Sequence, residues 1–367
     1  MYKKILVINL MHIGDLLLVT PVLKTLRTNY PKSHIALLAD KKLRDLVRYN
    51  HHIDELIEID KKGYHNNLLH YLQFIGGIRQ RKFDLVINLH ANERASFIAA
   101  FSGAKKTVGY ATPIAKWFFD EVLPNKKAVM HQIHSHFEVL KQTANVTTID
   151  DGGLEMWIDE TAKKSVDEIW RANFGAEADN LKVVGLNIGA SWKTKRWCDE
   201  YFAQVADQLL EKGYGVVYFG GPMDAVIVQQ AIAKMKHQDH EHLKVLTGKV
   251  TLQELAGLLK KCAVFVTTDS GPMHIAVTQD VPLVTMFGAS PVPGFYPYDA
   301  KDVLIKTPET CHPCGKHECP LHTMACMKNI PVDVVMKYTM ELLEKYQGHV
   351  GHVKREYGQY QCKVIEL

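Results

Sequence analysis

Apolar and polar positions along this chain follow two alternating rhythms. Short runs that are apolar throughout (KKILVINL, HIALLAD, DELIEID, FDLVINLH, KKTVGYA) read as strands. Between them lie stretches with helical spacing: LLLVTPVLKTLRTNY with a proline near its start, KKLRDLVRYN, NLLHYLQFIGGIRQRK and RASFIAAFSG. Strands without an alternating polar face, each followed by a helix, predict a parallel sheet covered on both sides.

The rhythm breaks over residues 145–180. TTIDDGGLEMWIDE is polar and turn-rich, and TAKKSVDEIWRANFG is a charged helix ending at Gly175. A second cycle follows: KVVGLNIGA, YGVVYFGG, KVLTG, AVFVTTDSG and PLVTMFGA as strands, CDEYFAQVADQLLEKG, AVIVQQAIAKMK, TLQELAGLLKKC and PMHIAVTQ as helices. Thr251 and Glu254 have capping-box spacing. The expected layout is one doubly wound domain over residues 1–165, a second over 175–330, a helix over 331–347 and a tail over 348–367 without helical period. Ligands of such sheets bind beyond the carboxyl ends of the strands, and with two halves the expected active site lies between them.

Composition narrows the class. The 367 residues exceed one ordinary domain. Hydrophobic residues at 47% and charged residues at 23% are those of a soluble globular protein. A net charge of +4 suits anionic substrates or an anionic membrane surface and is no nucleic-acid signature by itself. The apolar N-terminus meets His12 and Asp15 with no cleavage site, so it reads as a strand, not a signal peptide. No apolar run approaches the ~18 residues that span a membrane. The expectation is a cytoplasmic protein, with peripheral membrane contact left open.

Several fingerprints are missing. There is no G-x-G-x-x-G, no P-loop and no D-x-D. Any bound nucleotide must therefore be held by helix ends and cations. The second half supplies both. NIGASWKTKRW ends a strand in small residues and Ser191, then delivers Lys193, Lys195 and Arg196. FGGPMD ends the next strand with two glycines before Asp224. VFVTTDSGPMHIA is the sharpest signal: Asp269, Ser270 and Gly271 turn into a helix with Pro272 at its start and His274 in its first turn. The free N–H groups of that start, with the Ser270 hydroxyl, make an anion site. The plainer alternative is that Asp269 or Ser270 only caps the helix. FGASPVPG closes a third strand in small residues. In the first half, Asp15 follows Gly14 at the end of the first strand. It is either an acid favoured by the helix dipole or a general base aimed at an acceptor hydroxyl.

These pieces, HIGDLLLVTPVLKTLR, GASWKTKRW, FGGPMD, TGKVTLQELAGLLKKC, TDSGPMHIA, FGASPVPG and CHPCGKHECPLHTMACM, resemble the ADP-heptose:lipopolysaccharide heptosyltransferases (family-9 glycosyltransferases) in order, from residue 1 to about 330. The resemblance implies an α/β fold of GT-B type, two Rossmann-like domains facing each other across a cleft. The C-terminal domain would bind ADP-L-glycero-β-D-manno-heptose and the N-terminal domain the lipopolysaccharide inner core. Transfer would invert the anomeric centre without a metal or other cofactor. Asp15 matches the family's catalytic base, Lys195 the lysine that meets the phosphates, and Ser191 a phosphate-contacting hydroxyl. Asp269, Ser270, Gly271 and His274 match a D-[ST]-G-x-x-H signature at the nucleotide sugar. Asp224 stands where the family often has glutamate, an imperfect match. Arg94, just past a strand end, is a candidate for an anionic acceptor group or a solvated surface arginine.

Seven cysteines include four crowded at Cys311, Cys314, Cys319 and Cys326. Four thiolates suit zinc or an iron–sulfur cluster; the plain alternative is a loop of reduced thiols. The expectation is an inverting heptosyltransferase of the lipopolysaccharide inner core, acting at the inner face of the inner membrane, with ADP-heptose and the core acceptor as partners and no nucleic acid. The rivals are a transferase using another nucleotide sugar, a non-catalytic nucleotide- or metal-binding protein in which Asp15 is only a cap, and a nucleotide-sugar epimerase.

Overall fold

The computed structural model describes residues 2–346, 350–354 and 360–367. The chain divides into two compact units, Met1–Trp157 and Ile158–Leu367. This division falls ahead of the helix Glu160–Phe174, inside the span of residues 145–180 where the sequence rhythm breaks.

The first unit carries six strands: β1 (Lys4–Ile8), β2 (His34–Asp40), β3 (Glu55–Ile59), β4 (Leu85–Asn88), β5 (Lys106–Tyr110) and β6 (Glu121–Leu123). They pair in parallel in the order β3-β2-β1-β4-β5-β6. The second unit carries β7 (Val183–Asn187), β8 (Gly215–Phe219), β9 (Leu243–Val245), β10 (Val264–Thr268), β11 (Leu283–Met286), β12 (Val303–Lys306) and β13 (Lys363–Glu366). Their order, β13-β12-β11-β10-β7-β8-β9, repeats the first sheet and adds one strand. Each unit is thus a doubly wound Rossmann-like sheet. Its topological switch point lies between β1 and β4 in one unit and between β7 and β10 in the other.

The central strands are apolar because helices cover both faces. Every residue of β4, β7, β8, β10 and β11 is buried. Polar ends are left only where strands run out, which is where the chemistry-bearing residues gather.

Several sequence expectations need correction. The single helix expected over LLLVTPVLKTLRTNY is two, Ile13–Leu17 and Thr20–Asn29; Pro21 opens the second, where its missing N–H costs nothing. KKLRDLVRYN forms only a 3-10 turn, Lys41–Leu46, started by Asp40, whose carboxylate accepts from the Lys42 N–H. Strands β6 and β12 and the helix Gln132–Thr143 had no counterpart in the pattern. The Thr251/Glu254 capping box is formed as its spacing indicates. The helix expected over 331–347 runs Val332–Lys345.

The tail differs most. Residues 348, 349 and 355–359 lie outside the described residues, but its last stretch is β13, in parallel register with β12 from Val303↔Lys363 to Lys306↔Glu366. Cys362 beside it is fully buried. A chain ending at Tyr360 is therefore expected to lose about 2 kcal/mol of stability. In a unit of this size that is a fall of roughly 4–8 °C in the thermal midpoint. An unchanged midpoint in scanning calorimetry would contradict the strand pairing.

Candidate functional site

Four loops leave the two switch points, and they hold nearly all the residues singled out from the sequence. In the second unit, β7 ends in Asn187, whose buried amide donates to Gly189 O (3.0 Å), Thr267 Oγ1 (3.1 Å) and Ser270 Oγ (3.1 Å). One side chain thus ties the loop after β7 to the loop after β10. Across that junction Lys195 Nζ lies 2.8 Å from Asp269 Oδ2, both side chains largely buried. The ammonium also sits 4.4 Å from the centre of the Trp192 ring. Lys195, Asp269 and Ser270 therefore form one cluster.

The helix Gly271–Thr278 begins at Ser270 without a side-chain cap. The plainer reading of Asp269 or Ser270 as a helix cap does not hold: Ser270 is engaged by Asn187, and Asp269 by Lys195. The N–H groups of the first turn stay available to a ligand anion, next to a lysine. His274 is buried behind them. Burial holds its pKa down to about 4, so it is neutral at physiological pH.

Asp224 accepts from the Gly221 N–H at 2.9 Å and packs against Gly189. A Cβ on Gly189 would come within 2.4 Å of the Asp224 carboxylate, so this approach requires glycine. Ser191 is exposed in the same loop.

The cysteine segment buttresses this loop. His317 stacks on Trp192 at 4.2 Å, Thr194 Oγ1 donates to Lys316 O, and the Gly315 N–H donates to Ala289 O at 2.9 Å. The four thiols lie close enough for Cys311, Cys314 and Cys319 to bear on Cys326, whose pKa is pushed up to about 11, chiefly by burial. Among the described residues, however, no three His, Cys, Asp or Glu side chains converge as a metal-holding group. The candidate metal at Cys311, Cys314, Cys319 and Cys326 is therefore unsupported. The Cys319 sulfur is instead surrounded by backbone N–H groups, that of Met324 first, which hold its pKa down.

In the first unit, Asp15 is half-buried in the first turn after β1. Desolvation raises its pKa above the usual carboxylate range, while His12 and Lys127 pull it back. Its place in the first helical turn is the one that the helix-start alternative requires, and it leaves the chemistry of Asp15 open. Beside it a pocket of about 360 Å³ is lined by His12, Lys61, Lys62, His90, Asn92 and Arg94. Arg94 is not a free surface arginine: it donates to Lys61 O (2.6 Å) and Asn66 Oδ1 (3.2 Å) and lies over the Tyr71 ring. His90 Nδ1 is buried without a partner among the described residues. Burial, then the charges of Lys61, His12 and Lys127, lower its pKa to about 4.

Asn187, His90, Lys61 and Lys62 were missed in the sequence. A signal was there: an asparagine ends three of the four apolar strands at the switch points, in INL after β1, INL within β4 and LNI at β7, while β10 ends in two threonines. Asn9 and Asn88 each accept a backbone N–H two residues on, from Met11 and His90.

Two Rossmann-like units of parallel strands, with a lysine and an uncapped helix start at one switch point and a carboxylate beside a cationic pocket at the other, have the architecture of the GT-B class of glycosyltransferases. The model of glycosyltransferase family 9 (heptosyltransferase) matches residues 71–325, and the chain belongs to that family. Its fold superposes on that of a family 9 glycosyl transferase from Veillonella parvula DSM 2008 with a TM-score of 0.85 and 34% identity, covering 94% of this chain and 98% of that one. Against E. coli ADP-heptose lps heptosyltransferase II the TM-score is 0.76 at 21% identity, covering 93% and 99%. The lipooligosaccharide heptosyltransferase 2 of Haemophilus ducreyi is 24% identical over 308 residues, 82% of this chain and 88% of that one.

Asn187→Ala removes the donor shared by Gly189, Thr267 and Ser270. It is expected to lower the unfolding free energy by about 1–3 kcal/mol. Denaturant titration checks this; a variant as stable as the parent would mean that water replaces the amide.

Proposed function

We propose that this glycosyltransferase moves a heptose from ADP-heptose to the inner core of lipopolysaccharide, with inversion at the anomeric carbon and no metal. The observation that carries the reading is the Lys195–Asp269–Ser270 cluster at an uncapped helix start on the second switch point. It offers a diphosphate one ammonium, one hydroxyl and oriented N–H groups. The names of the relatives supply the donor and acceptor classes.

In this reading the second unit binds the donor through Ser191, Lys195, Asp224, Asp269, Ser270, Gly271 and His274. The first unit binds the acceptor beside Asp15. The acceptor hydroxyl oxygen bonds to C1 of the heptose as the bond from C1 to the β-phosphate oxygen breaks. Asp15 takes the hydroxyl proton. ADP leaves with its new charge met by Lys195 and the helix start. Arg94, with Lys61 and Lys62, meets a carboxylate or phosphate of the acceptor. An acceptor carried on lipid places the enzyme at the inner face of the inner membrane.

The raised pKa of Asp15 suits this role, because a base works best when its pKa approaches the operating pH. Only the ionised carboxylate accepts a proton. Turnover is therefore expected to fall as pH drops through a pKa above the usual carboxylate range. His90 and His274 stay neutral above about 4 and add no limb at neutral pH.

The decisive assay is ADP release from ADP-heptose with a heptose-deficient lipopolysaccharide acceptor and chelator present. Asp15→Ala is expected to cut kcat by about 10²–10⁴-fold, leave donor affinity in place and abolish the acidic limb. Lys195→Ala is expected to weaken ADP binding in calorimetry. Equal turnover in Asp15→Ala would reduce Asp15 to a helix-start residue. Turnover only with a different nucleotide sugar would replace the donor.

A further inference from the structure

The large apolar side chains that the first unit exposes are not scattered. Among the described residues, all of them lie between Tyr64 and Val129. Leu68 (71% exposed), Leu69 and Leu72 project from the first two turns of the helix Leu68–Gln80, and Trp117 (85% exposed) and Phe118 from the end of the helix Pro113–Phe118. A row of aromatic rings joins the two groups. Tyr71 lies 6.1 Å from Phe97, Phe97 4.4 Å from Phe101, and Phe101 5.5 Å from Phe118. The result is one apolar face across three helices, larger than isolated surface leucines require.

The charge around this face is mostly positive: residues 61–121 hold nine lysines and arginines against Asp84, Glu93, Asp120 and Glu121. Residues 61–82 contain Lys61, Lys62, Arg79, Arg81 and Lys82 and no aspartate or glutamate. Residues 94–119 contain Arg94, Lys105, Lys106 and Lys116, again with no acid. Lys62, Lys116 and Lys127 are exposed and make no ion pair among the described residues. A leucine- and tryptophan-bearing helical face with an excess of lysines and arginines around it has the composition of an element that lies in the headgroup region of an anionic bilayer. No helix among the described residues is long and apolar enough to cross a membrane.

The face also adjoins the cationic pocket. The Arg94 guanidinium lies 5.5 Å from the centre of the Tyr71 ring, and Tyr71 Oη donates to Arg94 O at 2.8 Å. Apolar surface and pocket therefore share Tyr71 and Arg94.

We propose that the Leu68–Leu72 and Trp117–Phe118 face docks the first unit on an anionic phospholipid surface and holds the pocket beside Asp15 against the headgroups, from which an acceptor on a lipid anchor projects. The docking rests on the acceptor class read above; its test does not.

The test is co-sedimentation of the full chain with phosphatidylcholine vesicles, with and without phosphatidylglycerol. The parent is expected to bind the phosphatidylglycerol vesicles about tenfold better and to lose that preference in high salt. Combined Leu68→Ser, Leu69→Ser and Leu72→Ser should bring binding to the phosphatidylcholine level with the unfolding midpoint and ADP affinity unchanged. Lys116→Glu should lower it in part. Equal vesicle binding by the triple variant, or none by the parent, overturns the proposal. A parent that dimerises, with a triple variant that is monomeric and neither binding vesicles, assigns the face to a second copy and also overturns it. Turnover of a delipidated acceptor by the parent separates the two readings: a parent that turns the acceptor over but binds no vesicles refutes the docking alone, and a parent that binds vesicles without turnover refutes the proposed reaction alone.

Discussion

The buried amide of Asn187 is the point on which the second unit's site depends. A doubly wound parallel sheet has apolar strands covered on both sides, so polar groups can approach one another only where strands end. At such an end, backbone carbonyls lose their ladder partners, and they and the hydroxyls beside them are poorly reached by bulk water. Asn187 meets three of these groups at once, on loops 80 residues apart in sequence. With those loops joined, Lys195 and Asp269 are held in contact and Ser270 is kept from capping its own helix. A serine free to cap would fill the anion site with its own hydroxyl.

The first unit solves the same problem twice on a smaller scale. Asn9 and Asn88 each close the turn that follows their strand. The turn after β1 delivers Asp15, and the turn after β4 delivers His90 and, one helical turn on, Arg94. Because β1 and β4 are neighbours in register, with Ile8 beside Asn88, the two turns emerge side by side. The pocket is thus a consequence of strand order, and its charge comes from what the loops carry: Lys61 reaches it from the loop after β3, ion-paired to Asp40 at 3.0 Å.

How much of this was legible follows from the range of the interactions. Apolar runs marked the central strands of both sheets because burial on both faces leaves no other composition open. TDSGPMHIA and GASWKTKRW were legible because each is a local strand-to-helix turn with its chemistry inside a few residues. The Lys195–Asp269 pair, the Asn187 bridge and the contribution of Lys61 to the pocket beside Asp15 were not, since each joins residues tens of positions apart. Strand β13 was hidden for a different reason. KVIE is short and lies at a sheet edge, half exposed, so its composition carries little strand signal. The cysteine spacing left a metal site and a loop of reduced thiols open, because crowding along the chain does not fix convergence in space; the segment packs on the Lys195 loop with His317 against Trp192, and no metal-holding group is found among the described residues.

The ion pair also bears on turnover under the proposed reading. Lys195 is held by Asp269 and by the face of Trp192 before any ligand arrives. Asp269 keeps it in place, so little reorganisation is left for the moment at which the leaving diphosphate gains charge. The same carboxylate competes with the diphosphate for the ammonium and weakens the hold on the product. His274 cannot supplement the positive charge, because its burial keeps it neutral. Charge stabilisation therefore rests on Lys195 and the helix start, and the arrangement favours the transition state over tight retention of ADP.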